Sequence, residues 1–358
     1  MTREQTAADV FRRAAASIEV TSAPLADVVA VARARRGRRR RIAIAGAAVA
    51  VLVVGGGTWL AARSSPESDE LARLDVKPAP NPVDVAWYAN GRLHLDEISV
   101  ALPQLTGIVE VDGGAAYVDV DGTVGFVSAD GDHRRLGSSD PDTLLVGSTE
   151  TGWAAWIEPG RARLVVHDVG TGEVVGSRDL ASADAQLIAI DQHRVFYREA
   201  GDSYAWTPGV ESPERLVRRG LVDVESATRL YQEGRRIVMV QSLFSVEFAR
   251  PGLGGTLSSG GTYVLTRRAD GDVAPVGDPY RPLMYDARSG DRIRTGVGPG
   301  ELAVDAAFGD NNTVTYLVAP AADLDGDPLL VLRSCTLGGD CNDVAPVPTG
   351  TDRPLLAH

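Results

Sequence analysis

The stretch Asp142–Leu180, DTLLVGSTETGWAAWIEPGRARLVVHDVGTGEVVGSRDL, carries the fold of this chain. Its apolar residues come in four short runs, TLLVGST, GWAAWIE, ARLVVHDV and EVVGSRDL, rich in Val, Ile and Trp. Gly- and Pro-bearing turns separate the runs, and no helical period runs through them. Four short antiparallel strands in about 40 residues are one blade of a propeller.

The pattern repeats outward from this blade. GAAYVDV is centred on Tyr117, GWAAWIE on Trp156, HRVFYRE on Tyr197 and RRIVMVQ on Val238, giving steps of 39, 41 and 41 residues. TVTYLVA, centred on Tyr316, follows 78 residues later, close to two further steps. A second marker recurs in Asp168-Val-Gly-Thr-Gly172, Asp286-Ala-Arg-Ser-Gly290 and Cys335-Thr-Leu-Gly-Gly339, each with a turn glycine four residues after a strand end. Asn90-Gly91, Asp112-Gly113, Asp121-Gly122, Asp130-Gly131 and Asp270-Gly271 read as type I′ hairpin turns. The expected blades are 84–101, 106–137, 142–180, 185–218, 222–268, 270–297 and 301–347. The fold class is thus all-β, a seven-bladed propeller with six blades as the alternative. Phasing is weakest over 243–300, where ARPGLGGTLSSGG reads as an inserted loop. Arg353–Ala357, RPLLA, is expected to supply a missing strand to the first blade and so remove a free sheet edge.

Upstream, the character of the chain changes. Seven arginines lie between Arg33 and Arg41, and an uncharged run of 21 residues follows, Ile42–Ala62. As a helix it spans roughly 31 Å, the thickness of a bilayer core. The run is too long for a signal-peptide core and its basic flank begins unusually late, so an uncleaved transmembrane helix is expected. Arg38, Arg39, Arg40 and Arg41 on one flank place the N-terminus in the cytoplasm, and Trp59 falls at the outer interface. The division is then 1–41 cytoplasmic, helical and basic; 42–62 transmembrane; 63–82 a Pro-containing stalk; 83–358 the extracytoplasmic propeller. This is a single-pass type II protein of the cell membrane, with the lipid bilayer as a partner. In the head, Val10, Phe11 and Ile18 fall on one helical face and form a candidate docking surface for a cytoplasmic protein.

Charge divides at the same boundary. Ten Arg against four acids give residues 1–41 a net +6, which leaves −18 of the total −12 for the rest. An acidic outer domain does not suit nucleic acid. Lys77 is the sole lysine, and the Ala-, Gly-, Val- and Asp-rich composition resembles that of GC-rich actinobacteria.

Few residues point to chemistry. Cys335 and Cys341 bracket a Gly-Gly turn on the oxidising side and are expected to form a disulfide. Asp323, Asp325 and Asp327 resemble a calcium loop, but Pro328 stands one position after the third acid where a loop glycine belongs, so an acidic turn is the better reading. His94, His133, His167, His193 and His358 are scattered and read as surface or strand-edge residues. Trp87, Trp153, Trp156 and Trp206 could form a ligand platform, with core packing favoured for Trp156. No P-loop or G-x-S-x-G elbow occurs. A carboxylate pair drawn from several blades would leave no linear motif.

The HDVGTGEVV and YDARSGDRI runs resemble the strand–turn–strand of WD40-like and quinoprotein-like propellers. With the head and anchor, the layout resembles actinobacterial single-pass proteins and, weakly, membrane-bound anti-sigma regulators, although the head lacks their His-x3-Cys-x2-Cys motif. The resemblance implies a non-catalytic binding or sensing module without a cofactor, with a protein or envelope-component partner outside and a cytoplasmic partner such as a sigma factor inside. The competing classes are an envelope hydrolase or lyase and a structural envelope scaffold.

Overall fold

The structure, a computed structural model, describes residues 74–141, 143–182, 184–241, 246–268, 278–309, 312–323, 328–350 and 352–358. The head, the apolar run and Trp59 lie outside them. Among the described residues no helix is long and apolar enough to cross a membrane.

The strands pair into seven separate antiparallel sheets, which are the blades. Blade I combines β1 (Val76–Pro78), β2 (Trp87–Ala89), β3 (Arg92–Leu95) and β4 (Ile98–Ala101) with β29 (Leu355–Leu356). Blade II is β5 (Leu105–Val111), β6 (Gly114–Asp119), β7 (Thr123–Ser128) and β8 (His133–Ser138). Blade III is β9 (Val146–Ser148), β10 (Trp153–Glu158), β11 (Arg163–Asp168) and β12 (Glu173–Asp179). Blade IV is β13 (Gln186–Asp191), β14 (Arg194–Glu199), β15 (Asp202–Trp206) and β16 (Glu214–Arg215). Blade V is β17 (Leu221–Glu225), β18 (Thr228–Glu233), β19 (Arg236–Gln241) and β20 (Val246–Pro251). Blade VI is β21 (Leu253–Leu257), β22 (Tyr263–Arg267), β23 (Pro282–Asp286) and β24 (Arg292–Ile293). Blade VII is β25 (Glu301–Gly309), β26 (Thr313–Pro320), β27 (Leu330–Thr336) and β28 (Cys341–Val347).

First strands of neighbouring blades touch from β25 through β29, β5, β9, β13 and β17 to β21, and these seven strands form the inner ring. The last strands are largely exposed, as their polar and charged residues allow. Because successive strands alternate direction, the connections between blades share one face with the second-to-third-strand turns. The first-to-second and third-to-fourth turns share the other.

The core is distributed in layers between blades. Seven apolar clusters each join one neighbouring pair, and the cluster of Val85, Trp87, Leu317, Leu332 and Leu356 joins blade VII to blade I. Glycines let aromatic rings cross between blades. A side-chain carbon on Gly137 of β8 would lie 2.8 Å from the Trp156 ring of blade III.

The blade count is as expected, but the phasing differs in two places. RRIVMVQ is the third strand of blade V, and the second strand carries Tyr231, which packs towards blade IV. The true step from Tyr197 is therefore 34 residues. Blade IV is short because β16 has two residues, and the 40-residue period slips by one strand after it. Residues 243–300 divide between blades V and VI. The supposed insertion ARPGLGGTLSSGG supplies the end of β20 and all of β21, where a register shift falls on glycines that periodicity does not register. The longer connection lies instead between β22 and β23. Val76–Pro78, within the segment assigned to the stalk, pairs with Val100, Ser99 and Ile98 as an added outer strand.

The turn chemistry is also corrected. Asn90-Gly91 has both residues at positive φ, as a type I′ turn needs. At Asp112-Gly113, Asp121-Gly122 and Asp130-Gly131 only the glycine does. At two of these turns the preceding strand end organises the loop: Asp119 Oδ1 accepts the amides of Asp121 and Thr123, and Ser128 Oγ that of Asp132. Asp270-Gly271 lies outside the described residues.

Candidate functional site

The inner strands share an irregularity that brings carboxylates to the ring. A bulge interrupts β5, β13, β17, β21 and β25 near its start, and the residue that follows it is Gly107, Ala189, Asp223, Thr256 or Asp305. A bulge re-aims a side chain and strengthens local twist. Two acids thus occupy equivalent positions in blades V and VII.

Their bonds match atom for atom. Asp223 Oδ1 accepts the amide N–H of Val224 at 2.8 Å, and Oδ2 accepts that of Leu257 in blade VI at 2.7 Å. Asp305 Oδ1 accepts the amide of Ala306 at 2.9 Å, and Oδ2 that of Leu356 in blade I at 3.0 Å. Each carboxylate fastens its own inner strand to the next. Both oxygens of both acids accept a backbone amide, one of them from the next blade, so the ring acids act as inter-blade fasteners.

The two environments shift the carboxyls in opposite directions. Burial pushes the Asp223 carboxyl up to about 7, against the amides that favour its ionised form. Burial also opposes ionisation of Asp305, but His358, whose Nε2 lies 2.9 Å from Oδ1, outweighs it, and this carboxyl is held below its ordinary range. For His358 burial likewise disfavours the cation, and the Asp305 carboxylate reverses this and raises its pKa. A raised histidine stabilises fully below its unfolded pKa of about 6.5, and the gain is lost as pH rises through the folded value. A lowered carboxyl stabilises above about 3.8 and loses the gain as pH falls. The His358–Asp305 clasp is therefore strongest between roughly pH 4 and 6.5.

Three other histidines are packed on aromatic rings, where surface or strand-edge positions were expected. His94 stacks on Trp87, its direct cross-strand partner, with ring centroids 3.9 Å apart. His167 stacks on Trp156 at 4.8 Å, and His133 Nε2 lies 2.6 Å from Tyr117 Oη. Tyr117 reaches His133 across Gly125, where any side chain would collide with its ring. Cross-strand pairing of a flat polar ring with an aromatic buries both. Burial lowers all three pKa values, that of His94 to about 4. A depressed histidine destabilises once pH falls below its unfolded value, because the unfolded chain binds the proton more readily. For His94, discounted for its partial exposure, the loss is about 1 kcal/mol by pH 5. His94→Gln is expected to flatten the fall in unfolding free energy between pH 6.5 and 4; an unchanged slope in urea titrations would contradict this.

The tryptophans form no platform. Trp87, Trp156 and Trp206 are buried in three different inter-blade clusters, and Trp153 packs beside Trp206 against blade IV.

Cys335 and Cys341 face each other across β27 and β28 and are joined. Gly296, at φ 76°, is seated against both sulfurs. Reduction is expected to loosen blade VII and lower stability by about 2 kcal/mol or less, because the closed loop is short. Calorimetry with and without reductant reads this directly. Of the acidic triplet, Asp323 ends an exposed 3-10 turn, Ala321–Asp323, while Asp325 and Asp327 lie outside the described residues. Arg38, Arg39, Arg40, Arg41, Val10, Phe11 and Ile18 do so as well. Among the described residues no cluster of metal-ligating side chains occurs.

Sequence reading missed the ring acids because acids are common here. A signal exists: Leu221-Val-Asp-Val and Ala303-Val-Asp-Ala align with Leu187-Ile-Ala-Ile and Leu105-Thr-Gly-Ile once the inner strands are in register.

No family model matches the chain, and no curated protein does. Solved structures with a similar course include a chain of the mitotic checkpoint complex, at 12% identity and TM-score 0.49 over 87% of this chain and 91% of that one. The computationally designed Ika8 protein is similar at 15% identity and TM-score 0.46, over 75% and 91%. The propeller domain of Cps50 (Swd1) from Myceliophteria thermophila is similar at 13% identity and TM-score 0.41, over 68% and 98%. The strand pairing itself establishes what the chain is built as, an all-β seven-bladed propeller.

Proposed function

We propose that the chain is a single-pass type II membrane protein whose propeller acts outside the cell as a non-catalytic binding or sensing module. Its partner there is a protein or an envelope component. The head over 1–41 relays occupancy to a cytoplasmic partner such as a sigma factor. The arginine asymmetry around Ile42–Ala62 supports the orientation.

The observation that carries the binding reading is the face shared by the inter-blade connections. Val120, Leu144, Val217 and Leu329 stand exposed on it, four of the seven exposed large apolar side chains among the described residues. They come from the turn of blade II, the connections into blades III and V, and the turn of blade VII. These exposed apolar side chains share one side of the ring, and that side is the one offered to a partner surface.

The test pairs two captures, one with residues 1–41 and one with the full chain, each by crosslinking in membranes. Envelope proteins retained by the wild type and lost from Leu144→Glu/Val217→Glu would support the face. Retention unchanged by that double substitution would sink it. A head that enriches no cytoplasmic protein over a scrambled sequence would sink the signalling half.

A further inference from the structure

The connection from β24 to β25 reads Arg294-Thr-Gly-Val-Gly-Pro-Gly300. With Arg292 and Gly339 it lines a cleft of about 520 Å³ between blades VI and VII, beside the disulfide. That volume falls within the range of small-molecule sites.

The cleft runs against the charge of its surroundings. The chain beyond residue 41 carries −18, and its other arginines are engaged in many places: Arg92 with Asp75, Arg218 with Glu233 and Glu247, Arg333 with Glu301 and Asp343. Arg292 and Arg294, by contrast, have no hydrogen-bond or ion-pair partner among the described residues. The amides of Thr295, Gly296 and Val297 are also unbonded there. Two arginines and three backbone amides with no hydrogen-bond partner among the described residues therefore belong to the lining of one recess.

The recess is held open from beneath. The Gly296 carbonyl accepts from Arg333 Nη1 at 3.3 Å, and the Gly298 amide donates to Glu301 Oε2 at 2.8 Å. Arg333 is fixed in turn by Glu301 and Asp343, both at 2.6 Å. Gly296 rests on the disulfide and tolerates no side chain. Donors fixed before a ligand arrives do not lose freedom when it binds.

We infer that this cleft binds a phosphate group, as the free ion or as a phosphomonoester. Phosphate brings a charge of about −1.5 to −2 and three or more acceptor oxygens, matching two guanidinium forks and several amides. A single carboxylate would leave one arginine uncompensated. None of Val120, Leu144, Val217 and Leu329 lines the cleft, so substitutions at one site leave the other intact and this inference and the partner-binding reading stand or fall separately.

Isothermal titration of the full chain in detergent with inorganic phosphate, and in parallel with glycerol phosphate, tests it. Saturable binding of either is expected, and the tighter of the two tells whether the ligand is the ion or the ester. Arg292→Ala/Arg294→Ala should weaken binding at least about tenfold, from the loss of two charge-assisted contacts. Arg288→Ala, an exposed arginine outside the cleft lining, should leave it unchanged. Both variants should melt as the wild type does, since these side chains make no hydrogen bond or ion pair among the described residues. Succinate binding as tightly as phosphate would overturn the inference. So would the absence of saturable binding in either arm, or equal weakening by Arg288→Ala.

Discussion

Deleting residues 353–358 is expected to remove most of the stability of the propeller. The deletion takes away β29, the inner strand of blade I, with Leu356 and Ala357 fully buried. Loss of a buried leucine costs about 2–5 kcal/mol. Asp305 would lose the Leu356 amide and His358 together, and an orphaned buried acceptor adds about 1–3 kcal/mol. The sum is comparable to the whole stability of a typical domain, about 5–15 kcal/mol. The cluster joining blades VII and I would open, and the edge of β2 that β29 covers would be freed. Limited proteolysis should then cut within blades I and VII first, and a peptide of residues 353–358 added in trans should restore protection. Protection at the wild-type level without the peptide would mean that the ring holds without its closing strand.

Trp156→Ala is expected to cost about 3–5 kcal/mol, the range for a buried aromatic. Trp156 is 1% exposed and fills the layer between blades II and III with Val109, Phe126 and Val165. Its indole nitrogen bonds nothing among the described residues, so Trp156→Phe should lose volume alone and cost about 1–2 kcal/mol. Gly137→Ala pushes a methyl group against the same ring from blade II. It should destabilise the wild type and become nearly neutral in the Trp156→Ala background, because the cavity accepts the methyl. Urea unfolding of the four proteins gives the coupling. Strictly additive losses would separate Gly137 from Trp156.

The same residues mark how much was legible in the sequence. Alternation in GWAAWIE displays Trp156 as interior, and the turns at Asp168–Gly172 and Asp286–Gly290 fix third-to-fourth-strand hairpins in blades III and VI. In both, the aspartate carboxylate accepts amides within the turn. Local bonding of this kind is written in neighbouring residues, so sequence displays it. Blade V was misphased because register there depends on partners far along the chain. The register shift over Gly254 and Gly255 leaves no periodic signature, and the two residues of β16 are too few to show one. The fasteners depend on bonds of the same long reach: Asp223 meets Leu257, 34 residues on, and Asp305 meets Leu356, 51 residues on. The cleft at Arg292 and Arg294 was invisible for a different reason. An unpaired arginine is defined by what fails to approach it, and that exists only once the blades are set side by side.

Blade I holds both ends of the described chain, β1 on the outside and β29 on the inside. Tension applied to the polypeptide upstream of Leu74 would therefore meet β1 first. That strand has three paired residues, and Arg92 clamps Asp75 through its carboxylate at 3.1 Å and its carbonyl at 3.2 Å. Under load it would peel from β4 while the ring, locked from the opposite edge by β29, kept its shape. The outer strand would act as a mechanical fuse, yielding before the inner strands of the ring separate.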